Sequence, residues 1–121
     1  MAHDIDICVV GGSIAGSAAA ATFAREGYSV ALIEREAAFR DKARGEGIHP
    51  WGMDEAEDLD LLDVVRAGGA HPLPTWLTYV DRVPLEPMVM AEHSARGQVE
   101  QGSFHPRLQE TMLDYAREQG V

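Results

Sequence analysis

Residues Ile5 to Val10 form an almost wholly apolar, β-branched run that ends directly on Gly11-Gly12 and passes through Ser13-Ile14-Ala15-Gly16 into Ser17-Ala18-Ala19-Ala20-Ala21. Few topologies accept that order. A buried run of this length suits a central parallel strand covered on both faces. Gly11 supplies backbone angles that a tight turn requires. Small residues from Gly16 onward let a helix lie close to the strand. Gly27 is the expected stop for that helix. The segment Tyr28-Ser29-Val30-Ala31-Leu32-Ile33 reads as the next strand, and Glu34 ends it eighteen positions after Gly16.

The dinucleotide fingerprint is G-x-G-x-x-G with a carboxylate about 20 residues further on. Here it reads Gly11-Gly12-Ser13-Ile14-Ala15-Gly16, with Ser13 in place of the middle glycine and Glu34 as the carboxylate. The helix N-terminus presents free N–H groups and a positive dipole end, which suit a pyrophosphate. The Ser13 hydroxyl is a further donor to phosphate oxygen, and Glu34 is an acceptor for ribose hydroxyls.

Charge excludes other ligands. The chain of 121 residues has a net charge of −10, which argues against non-specific nucleic-acid binding. With 45% hydrophobic and 25% charged residues it reads as globular. The lone cysteine, Cys8, allows no internal disulfide, and its place in the first strand predicts a buried structural thiol. No apolar run reaches the roughly 18 residues of a membrane span, and no basic-flanked leader is present, so the expected location is cytoplasmic. His3, His71, His93 and His105 show no metal-ligand spacing and read as surface or loop residues.

Past Glu34, a charged stretch to Gly47 predicts a loop that opens with a short helical turn. One helix is expected from Pro50 to Arg66, with Met53, Ala56, Leu59, Leu62 and Val65 on its buried face and Gly68-Gly69 ending it. Thr75–Val80 and Val83–Met90, separated by Asp81-Arg82, read as a hairpin whose second arm is made irregular by Pro84 and Pro87. Residues 92–102 read as loop with a short strand near Val99. A last helix is expected from Pro106 to Glu118, with Leu108, Met112, Tyr115 and Ala116 as its apolar stripe. Two parallel strands and one crossover do not complete a doubly wound sheet. The expectation is therefore a part of a larger protein, or a unit completed by a complementary C-terminal segment or chain.

Three separated motifs carry a family likeness: Val10–Gly16 with Glu34-Arg35, then Arg44-Gly45-Glu46-Gly47, then Arg107-Leu108 followed by Leu113. Together they resemble the N-terminal part of the flavin-dependent aromatic hydroxylases, the p-hydroxybenzoate hydroxylase group of FAD monooxygenases, in which Gly-Gly-Ser is common at the turn. The resemblance implies an α/β fold: a Rossmann-like FAD-binding βαβ unit, incomplete by itself, with a small β-hairpin contribution. Residues 1–121 are then the N-terminal part of an FAD/NAD(P)-binding domain, with about 74–102 an extended, substrate-side insertion.

It also implies site roles. Gly11, Gly12, Ser13, Ile14, Ala15 and Gly16 would hold the pyrophosphate, Glu34 the adenosine ribose, and Arg35 the adenine end. Arg44 and Arg107 would meet the phosphates and ribityl chain through their planar guanidinium forks. NADH or NADPH would reduce FAD, and one atom of O₂ would pass to a small, aromatic substrate. No catalytic acid or base is identified. His49 and Trp51 are expected to pack and hydrogen-bond rather than react. The family's later Asp-Gly and Gly-Asp motifs have no counterpart in this sequence. Two other readings stay open: an NAD-dependent Rossmann oxidoreductase, and a catalytically incomplete nucleotide-binding fragment. Within flavoproteins, a halogenase or prenyl-chain reductase is a further alternative.

Overall fold

A computed structural model of the chain describes residues 4–41 and 47–121. Strand β1 (Ile7–Val10), helix α1 (Ile14–Arg25) and strand β2 (Val30–Ile33) form the expected βαβ unit. β1 and β2 pair in parallel, Ile7 opposite Val30 and Val10 opposite Ile33. Backbone bonds extend the pairing beyond both ends: Asp6 and Ile7 N–H donate to Ser29 O, and Gly11 N–H donates to Ile33 O at 2.8 Å.

The strand is not covered on both faces as its composition predicts. Exposure alternates along β1, and Val10 is 80% exposed. Cys8 is likewise exposed rather than buried. The reason is that α1 covers one face of the pair, while among the described residues nothing packs on the other. The apolar composition is thus satisfied on one side only.

A three-stranded antiparallel sheet of order β3-β9-β4 stands apart from this pair: β3 (Gly47–Ile48), β9 (Glu100–Gly102) and β4 (His71–Leu73). β9 is the short strand expected near Val99. The hairpin forms as read, in two broken ladders. β5 (Thr75–Trp76) pairs with β8 (Met88–Val89), and β6 (Tyr79–Val80) pairs with β7 (Val83–Pro84). Its two turn residues have positive φ, Asp81 at 47° and Arg82 at 69°, as a two-residue primed turn requires. β7 ends at Pro84, and pairing resumes only after Pro87, since proline donates no ladder bond. A 3₁₀ turn at Met90–His93 precedes the loop to β9. No helical turn follows Glu34 within residues 35–41.

The expected single helix from Pro50 to Arg66 is two helices, α2 (Pro50–Asp58) and α3 (Leu62–Ala67). The break is a complete C-cap. Asp60 takes a left-handed φ of 54°, its N–H donates to Glu57 O at 3.0 Å, and Leu61 N–H reaches back to Ala56 O at 2.7 Å. Arg25 of α1 stabilises the corner, donating to Leu59 O at 2.7 Å and to the Asp60 carboxylate at 3.1 Å. The bend rephases the apolar face. Leu61, 2% exposed, enters the core, while Leu59 is left 37% exposed.

That core gathers on helix α4 (His105–Glu118). Leu108 and Met112 of α4 pack with Met53, Leu61 and Val65, and Ile14 and Ala18 of α1 close against them. Ala116 is fully buried on the same stripe. α1 therefore lies between the parallel strands on one side and α4 on the other. No helix among the described residues is long and apolar enough to cross a membrane.

Left-handed backbone costs about 1–2 kcal/mol for residues with a branched side chain, and least for glycine, asparagine and aspartate. Asp60→Val is expected to lower unfolding stability by about that amount. Asp60→Gly should stay within roughly 0.5 kcal/mol of the parent. Urea denaturation of the two variants checks it.

Candidate nucleotide-binding site

The turn between β1 and α1 closes on itself. Gly11 has φ of 102°, and Gly16 sits against the Gly11 carbonyl. A Cβ placed at Gly16 would lie 1.7 Å from Gly11 O and 2.9 Å from its carbon, an impossible contact with main chain. The strand side chain Val9 is farther, at 3.5 Å. Gly16 is thus required by the turn before it is required by helix–strand packing. Gly12 fits against β2 instead: a Cβ there would come within 3.0 Å of Glu34 Cβ and Leu32 Cδ2. Ser17, fully buried, donates its hydroxyl to Gly12 O at 2.9 Å and fixes the turn from below.

This geometry leaves the first amides of α1 pointing out of the turn. Ser13 occupies the N-cap position, and its side chain makes no cap bond. The first acceptor its carbonyl offers is taken by Ser17 N–H at 2.9 Å. The N–H groups of Ser13, Ile14, Ala15 and Gly16 have no acceptor among the described residues. No acidic side chain lies in the first turn to neutralise the dipole. Such a terminus receives anions.

Glu34 lies directly beside this turn. Its carboxylate accepts from Gly12 N–H at 2.6 Å and from Glu36 N–H at 2.7 Å. These backbone bonds, Glu36 first and Gly12 second, hold its carboxyl below the ordinary value of 4.5, against an opposing effect of desolvation. Each oxygen retains a lone pair for a further donor. Glu34 therefore braces the glycine turn while keeping capacity for hydroxyl groups.

Between residues 34–40 and α4 runs a cleft in two joined parts that share Glu34, Glu36, Ala38 and Phe39 as wall. The larger part, about 540 Å³, continues along Leu113 and Asp114 of α4. The smaller, about 190 Å³, opens at Ser13 and is bordered by Arg35, Arg40, His105 and Gln109. The structure thus brings the glycine turn, Glu34 and Arg35 to one cleft. Arg35 is exposed and pairs with Glu36 at 3.2 Å. Arg107 does not line this cleft. Its guanidinium lies over Gly69, 3.3 Å from where a Cβ would stand. Arg44 falls outside the described residues. Gln109 is the polar group that the sequence reading omits. It stands two positions from Arg107 on α4, so its side chain leaves the helix in another direction, and its amide meets Ser13 Oγ at 2.9 Å. Only the packing of α4 against α1 brings it there; no local motif marks it.

His49 and Trp51 pack and hydrogen-bond as expected. The His49 ring stacks on Trp51 at 4.4 Å and lies nearly parallel to Trp76 at 5.9 Å, while its Nδ1 stands 3.1 Å from the buried Glu100 carboxylate.

These features meet in a known family. A family model described as an FAD binding domain matches residues 4–121, and the chain belongs to that family. Squalene monooxygenase of Mus musculus is 31% identical over 103 residues, covering 84% of this chain and 18% of its own length. A variant of 2-methyl-3-hydroxypyridine-5-carboxylic acid oxygenase superposes with a TM-score of 0.73 at 26% identity, over 95% of this chain and 30% of that one. A flavoprotein/dehydrogenase from Cytophaga hutchinsonii shares the fold with a TM-score of 0.83 at 22% identity, over 98% of this chain and 29% of that one. The chain spans less than a third of each of these three proteins.

The residues at the turn fit the diphosphate and ribose of FAD: open amides, a glycine that admits no side chain, and a carboxylate with spare acceptor capacity. Two outcomes are expected. Gly16→Ala should lower unfolding stability by about 1–3 kcal/mol, read by denaturant titration, because Gly11 must move to admit the methyl group. The Glu34 carboxyl, followed by NMR, should titrate below 4.5. Its folded value is depressed, so the stability it carries is present above the ordinary carboxylate range and is lost as pH falls through the folded value. Glu34→Gln should remove that acid-side component.

Proposed function

We propose that this chain is the N-terminal, FAD-holding part of a flavoprotein monooxygenase. The observation that carries the reading is the set of four outward amides, Ser13 to Gly16, opening on the cleft that Glu34 borders. The amides would take the diphosphate, with the α1 dipole favouring its negative charge. Glu34 would accept from the adenosine ribose, and Arg35 would lie toward the adenine. By family likeness, Arg44 and Arg107 would serve the phosphates and the ribityl chain.

Bound FAD would supply electron transfer from NADH or NADPH to O₂, the chemistry for hydroxylating a small organic, aromatic substrate. The chain's own part is orientation. It fixes the dinucleotide at its diphosphate end and leaves the redox end to residues outside the glycine turn. The matched relatives are monooxygenases and an oxygenase by name, and this supports the reading over an NAD-dependent oxidoreductase. Residues 74–102, with the hairpin and its exposed Trp76, Tyr79 and Val83, would form part of the substrate side.

The test is direct. The purified chain mixed with FAD should retain flavin absorbance through gel filtration, and Gly16→Val should lose it. Retention by Gly16→Val equal to that of the parent, or a preference for NAD over FAD, would overturn the proposal.

A further inference from the structure

We infer that Gln109 is a positioning residue for the diphosphate, acting through the Ser13 hydroxyl. This rests on the FAD reading above and adds a residue to it. Gln109 Nε2 donates to Ser13 Oγ at 2.9 Å, across 96 positions of sequence. Ser13 spends its side chain on no cap bond of its own. A hydroxyl has one proton and two lone pairs. With one lone pair taken by the Gln109 amide, the proton is free to turn toward an anion at the α1 terminus.

Both side chains border the smaller part of the cleft. The anchor behind Gln109 is rigid. Its neighbour Leu108 is fully buried and Met112 is 1% exposed, so the core that docks α4 on α1 also sets where the amide points. A glutamine suits the position because it donates without bringing charge. A glutamate could only accept. It would draw the Ser13 proton inward and place a negative charge beside the phosphates. The hydrogen bond therefore links the docking of α4 to the donor count at the glycine turn.

The test uses the whole chain and two probes, FAD and ADP, with affinities measured by calorimetry for the parent, Gln109→Ala, Ser13→Ala and the double variant. A lost hydrogen bond to a charged group weakens binding by roughly tenfold or more, and a neutral bond by a few-fold. Gln109→Ala is expected to weaken both probes roughly three- to tenfold, with its ligand-free melting temperature unchanged. Ser13→Ala should do the same, and the double variant should bind no worse than the weaker single variant, since both changes remove one donor. Gln109→Glu should bind more weakly than Gln109→Ala. Additive losses in the double variant, or parent-like affinity in Gln109→Ala, would overturn the role of Gln109 while leaving the FAD site standing. A parent chain that binds neither probe would overturn both.

Discussion

One contact governs the site: the Gly11 carbonyl fills the space that a side chain at Gly16 would need. A backbone oxygen in that place shortens the passage from β1 into α1 to a few residues. It also turns the first amides of the helix outward instead of back onto the strand. Everything proposed for the diphosphate follows from that closure. Ser17 and Glu34 hold it from opposite sides, one at the Gly12 carbonyl and the other at the Gly12 amide. A residue that braces the turn with one lone pair and offers the others to ligand joins the scaffold to the site. Ionised Glu34 suits that double duty, and its two backbone donors keep it ionised.

The second organising element is α4. Its apolar stripe forms the core with α2, α3 and α1, and its opposite flank becomes a wall of the cleft. Folding and ligand recognition therefore share one helix. The same helix sends Arg107 toward Gly69 and Gln109 toward Ser13, which divides its polar side chains between two regions of the molecule. The β1–β2 pair is one-sided by contrast: apolar on both faces in composition, yet covered by α1 alone.

Much of this was legible in the sequence because local chemistry enforced it. The βαβ unit, the hairpin turn at Asp81-Arg82 and the last helix all carry their own signals. The helix ends show where legibility stops. α1 and α4 end in the same left-handed cap as α2, with Gly27 at φ 93° and Gly120 at φ 97° announcing two of the three. At α2 the position is Asp60, so periodicity runs straight through the break and selects Leu59 instead of Leu61. What makes an aspartate tenable there is Arg25, thirty-five positions away, which no local window contains. The cleft shows the same limit. Gly11 to Gly16 and Glu34 follow a spacing rule; Gln109 and Phe39 belong to the site only through packing of α4 and of residues 34–40. Cys8 was misjudged because an apolar strand was assumed to be covered on both sides.

The most direct measurement is a ¹H–¹⁵N NMR titration of the chain with FAD, following individual amides. The account predicts that Ser13, Ile14, Ala15 and Gly16 move first and together, as hydrogen bonds form to the diphosphate. Saturable shifts elsewhere, with those four amides unmoved, would contradict it.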